Sequence, residues 1–174
     1  SGIRGYFEDK VMTAAGATVA SANRITLLRD ADGDGVAEVK TPFLTGLNSP
    51  YGMALVGTKL CVANTDALME FDYQPGATRI TTPGRKIVDL PAFGSNSHWT
   101  KSLVAAPNGM LYVGVGSNSN IADDGLAWER GRAAIYEVRP DSNYKRLYAT
   151  GLRNPAGLAI EHLDLVGELT EVHH

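Results

Sequence analysis

The sequence predicts an all-β fold built from recurring four-stranded sheets, and three observations carry that expectation. Short apolar or alternating runs recur between turn signals, glycine is abundant at 19 residues, and long helical periodicity is scarce. A decapeptide repeats: Gly46-Leu47-Asn48-Ser49-Pro50-Tyr51-Gly52-Met53-Ala54-Leu55 returns as Gly151-Leu152-Arg153-Asn154-Pro155-Ala156-Gly157-Leu158-Ala159-Ile160. Midway between the copies, Ser97-His98-Trp99-Thr100-Lys101-Ser102-Leu103-Val104 is a degenerate third, which also leads into a strand and a turn. A recurrence of about 52 residues is close to the period of a β-propeller blade, a four-strand unit of roughly 40–50 residues.

The strands follow in order. Arg24–Leu28 and Val36–Lys40 alternate around an Asp- and Gly-rich turn, and Tyr51–Val56 and Leu60–Asn64 are short apolar runs. Leu68–Asp72 and Lys86–Leu90 are separated by Pro75-Gly76 and Pro83-Gly84. Lys101–Ala105 and Met110–Val115 flank Pro107-Asn108-Gly109, and Ala134–Val138 and Arg146–Ala149 flank Pro140-Asp141-Ser142. Residues 1–22 hold Ala14-Ala15-Gly16-Ala17 and no strand pattern, so an arm or short helix is expected there; His173-His174 read as a tag remnant. Residues 23–172 then comprise half a blade, two full blades and half a blade. That is about three blades, whereas closed propellers usually need four to eight. Either the chain is a fragment or a homodimer closes a six-bladed ring by two-fold symmetry; the complementary half blades favour the dimer.

Composition excludes several function classes. The 174 residues, 18.5 kDa, are 44% hydrophobic and 20% charged, with a net charge of −3. The 16 basic residues are scattered, without the basic stripe of a nucleic-acid binder. No apolar run approaches the roughly 18–20 residues of a membrane span. The single cysteine, Cys61, rules out an internal disulfide and a Cys-rich zinc site, and its apolar neighbours predict a buried structural thiol. The N-terminus shows no basic-then-apolar signal peptide, which leaves cytoplasmic, mature secreted and fragment origins open.

Several segments, in order, carry a family resemblance: Leu28-Arg29-Asp30-Ala31-Asp32-Gly33-Asp34-Gly35, the repeat beginning at Gly46, and His98-Trp99-Thr100-Lys101. Leu111-Tyr112-Val113-Gly114-Val115-Gly116-Ser117-Asn118-Ser119-Asn120 and Gly151-Leu152-Arg153-Asn154-Pro155-Ala156-Gly157-Leu158 continue it. From Asn23 to about Glu161 the chain resembles the pyrroloquinoline-quinone (PQQ) dependent sugar dehydrogenases, in particular the L-sorbosone dehydrogenase type related to soluble glucose dehydrogenase. The typical member is longer, so the resemblance is to its middle part. It implies a six-bladed propeller with PQQ over the axis, hydride transfer from an aldose or aldosone, and a periplasmic or secreted location.

The resemblance also implies site residues. His98 stands where the family has its general base, which removes the sugar C1 hydroxyl proton as hydride passes to PQQ; imidazole suits that task at neutral pH. Arg153 and Asn154 stand where the family contacts PQQ, whose three carboxylates and quinone oxygens call for an arginine fork and amide donors. The first repeat has Asn48-Ser49 there, so blade architecture does not demand the arginine; a surface salt bridge is its plain alternative. Lys101 either approaches the cofactor or is a solvated charge. The glucose dehydrogenase branch orients its histidine with an aspartate, where this chain has Ser117-Asn118. Asn118 is then the residue placed to bond His98, without a carboxylate's electrostatic support.

Asp30, Asp32, Asp34 and Glu38 resemble the start of a calcium loop, with oxygens at alternate positions and glycines for the turn. Thr41 stands where the usual twelfth-position Glu would be, and an Asp/Gly-rich hairpin turn is the plain reading. After Ile160 the family's cofactor-site calcium ligands do not follow, so weak or lost dehydrogenase activity is expected of the isolated chain. Two rivals remain. One is a propeller module without enzyme activity, a binding surface or truncated product. The other is a calcium-dependent sugar lactonase, which needs carboxylates at the axial mouth where the inner strands offer none.

Overall fold

The computed structural model describes residues 21–94, 96–161 and 168–171, the last segment by its backbone. The expected arm lies outside the described residues apart from Ser21 and Ala22, as do His173 and His174. Among the described residues the architecture is all-β, in four antiparallel sheets of two, four, four and two strands, none closed on itself. β1 (Ile25–Arg29) pairs with β2 (Val39–Leu44). β3 (Met53–Val56), β4 (Lys59–Ala63), β5 (Ala67–Asp72) and β6 (Arg85–Asp89) form the first four-stranded sheet in chain order. β7 (Leu103–Ala105), β8 (Leu111–Val115), β9 (Ala134–Val138) and β10 (Lys145–Thr150) form the second. β11 (Leu158–Glu161) pairs with β12 (Glu168–Glu171). Among the described residues no helix is long and apolar enough to cross a membrane.

The first full sheet is packed on both faces, which explains why β4 is apolar without a break from Leu60 to Ala63. Successive side chains of a strand point to opposite faces. Cys61 and Ala63 enter a core shared with Leu111, Val113 and Val115 of β8. Val62, between them, enters a second core with Phe43, Leu44 and Phe71. Cys61 is fully buried as expected, and burial pushes its thiol up to about 11, so it is neither a thiolate nor accessible.

Most strand boundaries shift by a single residue, and three begin two or more residues later than expected, each for a local reason. The strand expected at Val36–Lys40 lies at Val39–Leu44, because the preceding turn runs through Glu38, whose Oε2 accepts the Ala31 N–H at 2.6 Å. Pro42 is tolerated inside β2 because that strand has a partner on one side only. β3 begins at Met53 rather than Tyr51, and β7 at Leu103 rather than Lys101. Here Gly52 N–H leaves its own sheet and donates to Lys101 O at 3.0 Å. This backbone bridge joins the inner strands of neighbouring sheets. It needs glycine, since a Cβ at Gly52 would lie 2.5 Å from Leu103 N and 2.6 Å from Lys101 O.

Candidate functional site

The loops entering β7 and β11 and the loop leaving β8 meet at one end of the inner strands, and they carry the candidate residues. Ser117 N–H, just past β8, donates to Arg153 O at 2.7 Å. A Cβ on Gly116 would strike the His98 Cβ and lie 2.6 Å from Asn154 Oδ1. Thr100 Oγ1 donates to Asn154 Oδ1 at 3.4 Å, and Ser102 Oγ donates to Pro155 O at 2.5 Å. The fold thus brings His98, Arg153 and Asn154 together although 55 residues separate the first two.

His98 is half-buried, and its Nδ1 lies 3.2 Å from Ser117 O and 3.0 Å from Ser117 Oγ. A carbonyl oxygen can only accept, and the Ser117 hydroxyl hydrogen is already given to Ser119 O at 2.7 Å. The hydrogen-bond inventory therefore assigns the ring proton to Nδ1 and leaves Nε2 with its lone pair. Ser117 fills the orienting position expected of Asn118. Asn118 instead donates from Nδ2 to Asp124 Oδ2 at 2.8 Å and accepts from Asn96 N–H at 2.9 Å. The alternation after β8 turns Ser117 toward the histidine and its neighbour away.

Lys101 is fully buried, so its reading as a solvated charge is overturned; its Nζ donates to Trp99 O at 3.0 Å. Burial, with the nearby Arg132 cation second, pushes its pKa down to about 7. Arg153 is exposed, with Nη2 2.8 Å and Nε 3.4 Å from the oxygens of Asn120. Among the described residues it has no carboxylate partner, so the surface-salt-bridge reading is not seen.

Sequence reasoning missed two residues. Glu129, on a 3-10 turn at Leu126–Glu129, accepts from Asn118 N–H at 2.7 Å and Ser119 N–H at 3.0 Å, fixing the loop that carries Ser117. Arg132 is buried among the carbonyls of the same loops. Neither had a motif to reveal it; their partners are set by the fold. With Asp124, Glu129 also brings carboxylates to this end of the strands from the β8–β9 connection, where inspection of the inner strands alone could not find them. Both are engaged in holding the loop. A cavity of about 620 Å³ lies elsewhere, between β2 and the first full sheet, and among the described residues Arg79 is the one charged residue lining it.

Asp30, Asp32, Asp34 and Glu38 converge in the β1–β2 connection, all exposed, with ligand oxygens within 4.8 Å of one another. The Asp30 carboxylate accepts Gly35 N–H at 2.8 Å and Gly33 N–H at 2.6 Å, and these bonds lower its pKa. The His98 cluster is built from other connections.

The Lys101 shift has a definite sign. The folded lysine titrates at about 7 and the unfolded one at the ordinary 10.5. Between those values the unfolded state binds more protons, so this group's penalty on folding is present below pH 7 and is relieved as pH rises. Lys101→Met is expected to be more stable than the parent at about pH 6, with the gap closing toward about pH 10. Urea unfolding across that range checks this; a pH-independent gap contradicts it.

Comparison with known proteins follows the geometry. A family model described as TrAA12-like matches residues 18–171. The holo form of the pyranose dehydrogenase PQQ domain from Coprinopsis cinerea superposes with a TM-score of 0.64 at 19% identity, over 80% of this chain and 41% of that one. The calcium structure of a Trichoderma reesei carbohydrate-active enzyme of family AA12 gives 0.61 at 17%, over 78% and 37%. The chain thus spans about two-fifths of the length of these structures, and at such identities the likeness shows the fold. No curated protein matches. The order of strands, the His98–Ser117–Arg153 junction and the family match over nearly the whole chain lead to one assignment: the chain belongs to the TrAA12-like family.

Proposed function

We propose that the chain is part of a PQQ-dependent sugar-oxidising domain, with His98 as the base and Arg153 and Asn154 at the cofactor. The observation carrying this reading is the junction itself: a histidine whose Nδ1–H is held by Ser117, leaving Nε2 as acceptor, tied through Ser117 to an arginine without a carboxylate partner among the described residues. The family match and the PQQ-domain neighbour add support.

The residues fit an anionic quinone. Arg153 can meet a carboxylate with its planar fork and stays charged at any working pH. Asn154 adds an amide beside it, and Lys101 backs the loop from within. When bound, PQQ supplies a two-electron acceptor for hydride. His98 Nε2 takes the hydroxyl proton of the sugar, and the Ser117 oxygens hold the imidazolium that results. Trp99, exposed beside His98 and edge-on to Tyr51 at 6.1 Å, offers a ring face for the apolar side of a pyranose. The substrate is an aldose or aldosone, and the enzyme acts outside the cytoplasm.

The solved relatives are about twice as long, so the complete site draws on further sheets. The two-stranded sheets are complementary, and a second copy completes them into four-stranded blades of a six-bladed ring. Asp30, Asp32, Asp34 and Glu38 would hold calcium as a structural ion, since three aspartates and a glutamate provide oxygens for a hard cation.

Four measurements test these readings. Titration with PQQ is expected to shift the quinone absorption spectrum, and Arg153→Ala to weaken binding ~10-fold, as for a lost charged hydrogen bond. In the loaded protein His98→Ala should keep that shift while losing ~100-fold or more in sugar oxidation. An unchanged spectrum with a folded protein favours the module without enzyme activity. Light scattering at micromolar concentration should give twice the chain mass, and a monomer refutes the two-copy ring. Calorimetry should show calcium binding that Asp30→Asn weakens ~10-fold; no heat of binding removes the ion from the account.

A further inference from the structure

Arg132 sits where burial should exclude a charge. It lies two positions before the start of β9, is 3% exposed, and has no carboxylate within ion-pair distance among the described residues. A lone cation in such a place is costly unless every donor is satisfied, and here carbonyl dipoles replace a counter-ion. Nε donates to Gly116 O at 3.1 Å and Nη1 to Pro91 O at 3.3 Å. Nη2 reaches Asn96 Oδ1 at 2.6 Å and, at 3.3 Å each, His98 O and Ser117 O. One planar fork therefore gathers three segments: the chain leaving β6, the approach to β7, and the loop after β8. A lysine offers no such fork.

Two of those acceptors matter most. Ser117 O receives the His98 ring N–H, and His98 O is the histidine's own backbone. The same Nη2 therefore holds both the root of the His98 side chain and the oxygen toward which its ring points. The packing leaves little slack, since a Cβ on the intervening Gly116 would lie 2.8 Å from His98 O. An apolar staple could join the segments, but it could not align two carbonyls around one ring.

We propose that Arg132 is a positioning residue for His98, clamping the Ser117 and His98 carbonyls so that the ring proton stays on Nδ1 and Nε2 remains the acceptor. The inference rests on the reading of His98 as the base, because only a base needs that tautomer. It predicts something a mere staple does not, namely that loss of the fork changes where the imidazole proton sits.

The experiment uses the full chain, labelled with ¹⁵N and without quinone or sugar. Long-range ¹H–¹⁵N correlation at pH 8 reports which ring nitrogen of His98 carries the proton; a His98→Gln spectrum assigns the signal. The parent should show the Nδ1–H form. Arg132→Met should lower the Nδ1–H to Nε2–H ratio ~5-fold, about the factor one ordinary net hydrogen bond carries. Arg132→Lys should fall between the two, because it keeps the charge and loses the fork. Circular dichroism confirms that each variant is folded. Should Arg132→Met not fold, Arg132→Lys decides alone. An Nε2–H form in the parent, or a parent-like ratio in the folded variants, overturns the proposal. If neither variant folds, Arg132 is a staple of the fold and the positioning role is likewise rejected. PQQ titration of the parent reports separately on the oxidoreductase reading, so either idea can fail without the other.

Discussion

The inner edges of three successive sheets meet backbone to backbone, and this close approach governs what the loops above them can do. Gly52 gives its N–H to Lys101 O, Ser117 gives its N–H to Arg153 O, and Gly114 and Gly116 lie where a Cβ would collide with the adjoining chain. Adjacent inner strands cannot be held this tightly with side chains between them. The consequence is chemical as well as mechanical. Drawing β7, β8 and β11 together puts His98, Ser117 and Arg153 at a single junction.

The electrostatics of that junction are unusual in relying so little on acid–base pairs. Lys101 and Arg132 are both buried cations, and both are solvated by main-chain or amide oxygens. Burial lowers the affinity of each for a proton; the Arg132 cation adds to that effect at Lys101, whereas Glu129 opposes it at Arg132. The carboxylates nearby, Glu129 and Asp124, hold the loop through backbone and amide N–H groups. His98 accordingly faces neutral oxygens. An imidazolium formed there is supported by hydrogen bonds and carbonyl dipoles, without the full charge of an aspartate.

What the sequence reveals of this arrangement follows from the range of each interaction. Ala134–Val138 could be read to the residue because it is an uninterrupted run closed by Pro140, and the structure places β9 there. The β2 boundary slipped because Glu38 is captured by Ala31 across a turn, which alternation cannot register. The junction was legible as a repeat: the Gly46 and Gly151 segments mark equivalent blade entrances, and the histidine falls between them. The choice of Ser117 over Asn118 hinged on which way one residue faces after a strand ends. Arg132 and Glu129 were invisible for a stronger reason. Their partners lie as far off as Pro91, 41 residues from Arg132, and no local pattern encodes such a pairing.

β4 has its own consequence. Val62 belongs to one core while Cys61 and Ala63 belong to the other, so this strand is a party wall between two interiors. Neither interior can be opened without stripping a face from the wall that supports its neighbour. The central sheets should then melt as a single cooperative unit instead of peeling apart, with the amides of β4 among the last to exchange with solvent.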